Sequence, residues 1–261
     1  MATVSTRYPR DVPDVHAYPQ SGNRPMPSTQ HQRAQQGVAT ILEQVLPAED
    51  VVAVELMLLL DPANWNRHLT PDVFVARGVG ALDPVYGEPR LQYRIWDEGR
   101  APDLIYEGAS PSTFGRDSVG KKEDYAALGV REHVQFDPTG GLLSPRLQVY
   151  RLSRSGRYER VPAEVDGTVR CVTLPRYNWI ISGCLLRLCD RVAGALVPTP
   201  SERAEAEAAR ADEEAARAEV AEAENARLRA ELARLRAEPP LDDHQPPPAP
   251  EAAGGRGSGR G

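Results

Sequence analysis

Apolar positions recur along the chain in two periods, and they divide it into elements. Val38, Ile41, Leu42 and Val45 fall at helical spacing and predict a helix from about Gln30 to Leu46, capped by Ser28 or Thr29 and ended by Pro47. Val51 to Leu60 (VVAVELMLLL) is a nearly continuous apolar run, interrupted by Glu55, and predicts a buried strand. Asp61-Pro62-Ala63-Asn64 reads as a turn. Asp72 to Arg77 (DVFVAR), entered through Pro71, is a second strand, and Leu104 to Ala109 (LIYEGA) a third. Between them, residues 78–100 are rich in Gly and Pro, with Tyr93, Ile95 and Trp96 as anchors. After the break at Ser110-Pro111-Ser112-Thr113, Asp117 can cap a helix that runs to Leu128 and stops at Gly129.

The following segments are shorter. His133 to Phe136 predicts a fourth strand, ended by Asp137-Pro138. Leu147–Leu152, Tyr158–Val161 and Thr168–Val172 read as hairpin strands, and Cys184–Cys189 as a last strand. One helical crossover among antiparallel neighbours makes the class α/β or α+β with a mixed sheet.

From Ser201 to Glu238 the composition changes to Ala, Glu and Arg, the signature of one long helix. Leu228, Leu232 and Leu235 follow a 4–3 spacing. In that register Asn225 is an a position, which suits parallel pairing, and Ala218 and Ala221 are core positions. The expected organisation is an arm at 1–27, a domain at 28–200, a long helix at 201–238 that reads as a coiled coil or as a lone solvated helix, and a disordered Pro- and Gly-rich end at 239–261.

Charge separates along the same boundary. Of the net charge of −6, most sits in the last 61 residues, with 9 Arg against 14 Asp and Glu. A near-neutral domain argues against strong sequence-independent nucleic-acid binding but leaves room for a local basic groove. Cys171, Cys184 and Cys189 show neither zinc spacing nor a disulfide framework, and read as reduced thiols. No run is apolar enough for a signal peptide or a membrane span, so a cytoplasmic location is expected. Of 31 basic residues only Lys121 and Lys122 are lysines. A lysine kept where arginine otherwise serves suits a compact ammonium with a specific task, or is chance, and the run Lys121-Lys122-Glu123-Asp124 also reads as a solvated helix face.

The candidate chemistry lies on the strands. Asp72 opens one, and Glu107 sits inside another among apolar neighbours. A carboxylate there is costly unless it is paired or holds a cation. Two on adjacent strands can share a hard divalent ion, with Lys121 reaching back from the following helix. Asp103, four residues before Glu107, competes for the first place, and Pro102-Asp103 offers the same dipeptide as Pro71-Asp72. Asp72 is preferred because one acid then falls on each of the two middle strands. Glu55 is a third acid of the same cleft or a sheet-edge charge, and His31 is a site residue or a surface or packing histidine. His133 and Tyr125 read as structural.

The stretch Tyr93–Pro138 (YRIWDEGRAPDLIYEGASPSTFGRDSVGKKEDYAALGVREHVQFDP) resembles the Uma-two family of restriction endonucleases. The likeness extends through STQHQR, TPDVFVARG, LQVYRL and LLRLCDRVAGALVPTPSERAEAEAARA, over about residues 17–215. It implies a PD-(D/E)xK restriction-endonuclease-like core with a β-rich extension and a long C-terminal helix. It implies an endonuclease that hydrolyses DNA with Mg2+, Mn2+ being possible. Asp72 and Glu107 would be catalytic metal ligands, Lys121 the lysine that replaces the one missing at Ala109, and His31 the histidine of the first helix. Gly108 stands where the family has Val, Ile or Leu. His133-Val134 stands in place of an aromatic, and residues 171–183 depart from the pattern. The expected assembly is a homodimer or higher homo-oligomer, without membrane contact. The rival reading is an inactive nuclease-fold protein that acts as an oligomeric interaction or DNA-binding module through its tail.

Overall fold

The computed structural model describes residues 29–80, 91–110 and 116–237. The arm at 1–27, the Ser28 cap, the break at 111–113 and the end at 239–261 lie outside the described residues, as does the Asp117 side chain. Two compact units are present, Met1–Glu202 and Arg203–Gly261.

The first unit begins with helix α1 (Thr29–Glu43), then strands β1 (Val51–Val54), β2 (Met57–Leu59), β3 (His68–Leu69), β4 (Val73–Ala76) and β5 (Gln92–Arg94). A single helical turn α2 (Ile95–Glu98) leads to β6 (Leu104–Gly108), helix α3 (Arg116–Ala127) and β7 (Glu132–Phe136). The extension comprises β8 (Leu147–Leu152), β9 (Tyr158–Arg160), β10 (Val169–Arg170), β11 (Tyr177–Ser182), β12 (Leu185–Asp190) and β13 (Ala195–Leu196). Helix α4 (Pro200–Ala237) closes the described chain.

The central sheet has the order β1-β4-β6-β7-β8-β9. Within this sheet, among the described residues, only β6 and β7 pair in parallel, and α3 is the crossover that this parallel pair requires; β2 and β5 form a second parallel pair in another sheet. Because the sheet is covered on both faces, its strands carry apolar runs rather than a clean alternation. Val73, Val75, Leu104 and Tyr106 share one core with Val38 and Leu42 of α1 and with Trp179, Leu186 and Leu188 of the second sheet, β10-β11-β12-β13. Phe74, Ala76 and Ile105 face the other way, into a core with Tyr93 and with Tyr125 of α3. The fold is thus a mixed α/β arrangement with mixed sheets and a long C-terminal helix.

The run Val51–Leu60 is not one strand. Glu55 adopts φ +50°, a left-handed conformation that costs a non-glycine residue about 1 kcal/mol or more. Its N–H donates to the Asp72 carbonyl at 3.0 Å, which holds the turn. The chain therefore leaves the central sheet after β1, and β2 joins a separate sheet, β3-β2-β5. The extension also holds β11, absent from the sequence expectation, which pairs with β12 along six residues.

A buried acid ties that extension to the core. Glu132 is fully buried and accepts the Trp179 indole N–H at 2.9 Å and the Thr173 N–H at 2.6 Å, with the Cys171 thiol at 3.5 Å. Helix α4 starts in a capping box: Thr199 Oγ1 accepts the Glu202 N–H, Glu202 Oε2 accepts the Thr199 N–H, and Pro200 takes the first helical position. Arg187 donates to both Glu202 oxygens at 2.9 and 2.7 Å, and this holds the Glu202 carboxyl down at about 2. No helix among the described residues is long and apolar enough to cross a membrane.

Candidate active site

Strands β4 and β6 pair antiparallel with Val73 opposite Tyr106 and Phe74 opposite Ile105. Continuing that register by one residue sets Asp72 opposite Glu107. The two acids thus occupy neighbouring positions at one end of adjacent strands, although their codons lie far apart.

Each acid is held by one helix through an i, i+4 pair, whose side chains lie on the same face one turn apart. On α1, His31 Nε2 is 3.2 Å from Asp72 Oδ2, and Gln35 Nε2 donates to the Asp72 carbonyl at 2.8 Å. The Gly108 N–H adds a 2.7 Å bond to Asp72 Oδ2, so the backbone of β6 grips the acid of β4. On α3, the Lys121 ammonium lies 3.1 and 3.4 Å from the two Glu107 oxygens, and the Tyr125 hydroxyl donates to Glu107 Oε1 at 2.6 Å. Asp72 is buried, whereas the Glu107 side chain keeps 15% of its surface exposed.

The two acids act on the same neighbours. The hydrogen bond to Asp72 raises the His31 pKa; burial opposes this, and the charges of Asp72, Glu107 and Glu55 add to the rise. Burial pushes the Tyr106 hydroxyl well up, and Asp72 and Glu107 push it further. That hydroxyl is buried with no hydrogen-bond partner among the described residues.

Gly108 explains how His31 fits. A Cβ at this position would stand 3.0 Å from His31 Cε1 and Nδ1 and 3.3 Å from the Tyr106 oxygen. A larger side chain here would displace the histidine from Asp72. Gly108→Val is therefore expected to destabilise the protein by about 2–3 kcal/mol through overpacking. Adding His31→Ala should recover part of this, and urea unfolding of the single and double variants measures it. An equal loss with and without His31 would contradict the assignment of the clash.

The structure separates the remaining candidates. Asp103 lies at the opposite end of β6, bound by Arg100 Nη2 at 2.8 and 2.9 Å and by the Arg77 N–H at 2.9 Å. It does not join Glu107, since three strand residues intervene. Glu55 is exposed at the turn beside Asp72, where His31 senses its charge. Tyr125, read from sequence as packing, is buried and also bonded to Glu107. Gln35 and Tyr106 were not singled out by the sequence reading. The spacing of Gln35 from His31, and of Tyr125 from Lys121, was the available signal.

Beside the site, His133 is 1% exposed, with the rings of Tyr125, Tyr158 and Tyr150 at 5.5, 5.6 and 6.0 Å. Neither ring nitrogen has a hydrogen-bond partner among the described residues. Burial, then Lys122 and Lys121, pushes its pKa down to about 3. The folded protein thus keeps His133 neutral where the unfolded chain would protonate it. Stability should fall as pH drops from 6.5 towards 3, by up to about 1.4 kcal/mol per pH unit from this residue, and no further below that window. His133→Phe should flatten the loss between pH 6 and 4 in urea titrations. An unchanged slope would contradict it.

For a hard divalent cation the donor chemistry fits. Both acids offer carboxylate oxygens, and Mg2+ is commonly held by one or two carboxylates together with water and phosphate oxygens. Among the described residues no group of three or more His, Cys, Asp and Glu side chains forms a closed cage. The fit is to an open two-carboxylate site rather than to an all-protein one.

Comparison with known proteins supplies the lineage. No curated protein matches the chain. A crystal structure described as "a putative nuclease belonging to DUF820" from Anabaena variabilis ATCC 29413 is similar over 58% of this chain and 77% of that one, at 20% identity and a TM-score of 0.43. The sequence profile of the Uma2 family, described as "Putative restriction endonuclease", matches residues 21–180. That span is more than half of the sequence and includes His31, Asp72, Glu107 and Lys121; the chain belongs to the Uma2 family of restriction-endonuclease-like proteins.

Proposed function

We propose that this protein is an endonuclease that hydrolyses DNA phosphodiester bonds with Mg2+, Mn2+ serving in its place. Asp72 and Glu107 are the metal ligands, and Lys121 is the catalytic ammonium. The observation that carries this is the register of β4 and β6, which sets the two acids side by side with the Lys121 ammonium 3.1 Å from one of them. A bound divalent cation supplies a polarised phosphoryl oxygen and a water of lowered pKa.

The chain's own groups do the rest. The Gly108 N–H and the His31 ring fix the Asp72 carboxylate, so its orientation is set before substrate arrives. Tyr125 fixes Glu107 in the same way. Lys121 is on a flexible stem and has three donors. It neutralises Glu107 in the resting protein and turns to a non-bridging phosphate oxygen as charge develops there. An arginine in its place would present a wider planar fork. The first unit's near-neutral charge makes DNA binding dependent on such local contacts rather than on a broad basic surface.

One observation favours the second reading, a nuclease fold without activity that works through its tail. Each acid already has a nitrogen partner within the chain, the His31 ring for Asp72 and the Lys121 ammonium for Glu107. Supercoiled plasmid separates the two. The first reading expects nicked and linear products with Mg2+ or Mn2+ and none with EDTA. Intact plasmid under every cation condition favours the second.

A further inference from the structure

We infer that two copies of this chain pair through residues 218–237 of α4 as a parallel, in-register coiled coil. The inference rests on the helix alone and not on the nuclease reading.

Helix α4 runs for 38 residues, about 57 Å at 1.5 Å per residue, and buries none of them. Its last turns expose an apolar seam, with Leu228 at 49%, Leu232 at 52% and Leu235 at 60%. Their 4–3 spacing makes Leu228 and Leu235 d positions, Leu232 an a position, and Asn225 the preceding a position. Upstream the same seam carries Ala218 and Ala221, so apolar burial is concentrated towards the C-terminal end.

The flanking charges identify the occupant. In this register the g positions are Arg217, Glu224 and Glu231, and the e positions facing them in a parallel pair are Glu222, Arg229 and Arg236. In a parallel pair each g residue faces the e residue five positions on in the other chain. Glu224 then meets an arginine at position 229 and Glu231 an arginine at position 236, with the reciprocal pairs across the axis. An antiparallel pairing of the leucine-bearing turns would set g against g and e against e, so that Glu224 and Glu231 face glutamates and Arg229 faces arginine. The charges therefore favour a second copy in parallel and oppose the reverse orientation. Asn225 adds register. In-register pairing lets the two amides bond each other, whereas a slip of one heptad sets each against Leu232 or Ala218.

Sedimentation equilibrium of the full chain should give a dimer mass that dissociates on dilution. Arg229→Glu with Arg236→Glu should weaken the dimer at least about ten-fold, as should Glu224→Arg with Glu231→Arg. Mixing the two variants should recover a heterodimer, which also shows that neither has lost its helix. Orientation is read with Leu235→Cys in a chain carrying Cys184→Ser and Cys189→Ser. The introduced thiols should cross-link on oxidation, because position 235 faces itself only in a parallel, in-register pair. A monomer at every concentration, a dimer indifferent to the charge reversals, or a dimer without the cross-link would overturn the inference.

Discussion

Glu107→Gln is expected to abolish plasmid nicking, lowering the rate by about 10³-fold or more, while the protein stays folded. The substitution changes one atom. The amide oxygen can still accept from Tyr125, whose hydroxyl lies 2.6 Å from Oε1, so the position of the side chain on β6 is kept. What is removed is the negative charge. Half of the anionic donor set is then gone, and a loss of several kcal/mol of transition-state stabilisation corresponds to some three orders of magnitude. Lys121 loses its ion-pair partner but keeps its place on α3. Nicking assays on wild type and variant, with circular dichroism as the control for folding, measure the effect. A variant that nicks at the wild-type rate would remove Glu107 from the chemistry.

Glu132→Ala is expected to give the largest loss of stability, about 3–5 kcal/mol. The carboxylate is fully buried, and it accepts the Trp179 indole N–H and the Thr173 N–H. Truncation leaves both donors buried without an acceptor, at about 1–3 kcal/mol each, and opens a cavity besides. A domain of ordinary stability holds about 5–15 kcal/mol in total, so the extension should loosen first and the domain should approach the threshold of unfolding. Glu132→Gln keeps one oxygen acceptor but presents an N–H2 to the second donor, and should fall between. Urea midpoints of the three proteins give the order. A change below about 1 kcal/mol for the alanine variant would show that the contact contributes little.

The acids of the candidate site stand out in the sequence because they break local rules. Glu107 is a carboxylate within an otherwise apolar strand, Asp72 one at the entry to another, and Lys121 stands out in a chain that uses arginine almost everywhere else. Their juxtaposition followed from element order, since β4 and β6 are neighbours in the sheet. What holds them was less visible. The grip of the Gly108 N–H on Asp72 depends on strand register, which residue types alone do not specify, and Gly108 read only as a departure from a family pattern. Gln35 resembles any polar helix residue until α1 is docked.

The fold divides in the same way. Long periodic segments such as α1 and α4 were plain, with boundaries displaced by a few residues. The run Val51–Leu60 looked like one strand because every local preference agrees. The division comes from the left-handed Glu55, whose N–H bonds to Asp72, a residue the sequence brings no nearer than 17 positions. Strand β11 was missed because its apolar residues are broken by Asn178 and flanked by Arg176, and its strand character comes from pairing with β12. Glu132 gave no sign of its role, since Trp179 lies 47 residues away.

The central claim is that Asp72 and Glu107 hold one divalent cation between them, and calorimetric titration with Mn2+ tests it most directly. Wild-type protein should bind one ion per site. Asp72→Asn and Glu107→Gln should each abolish that binding, and the double variant should lose nothing more. Binding that persists unchanged in both single variants, or no binding in the wild type, would contradict the account.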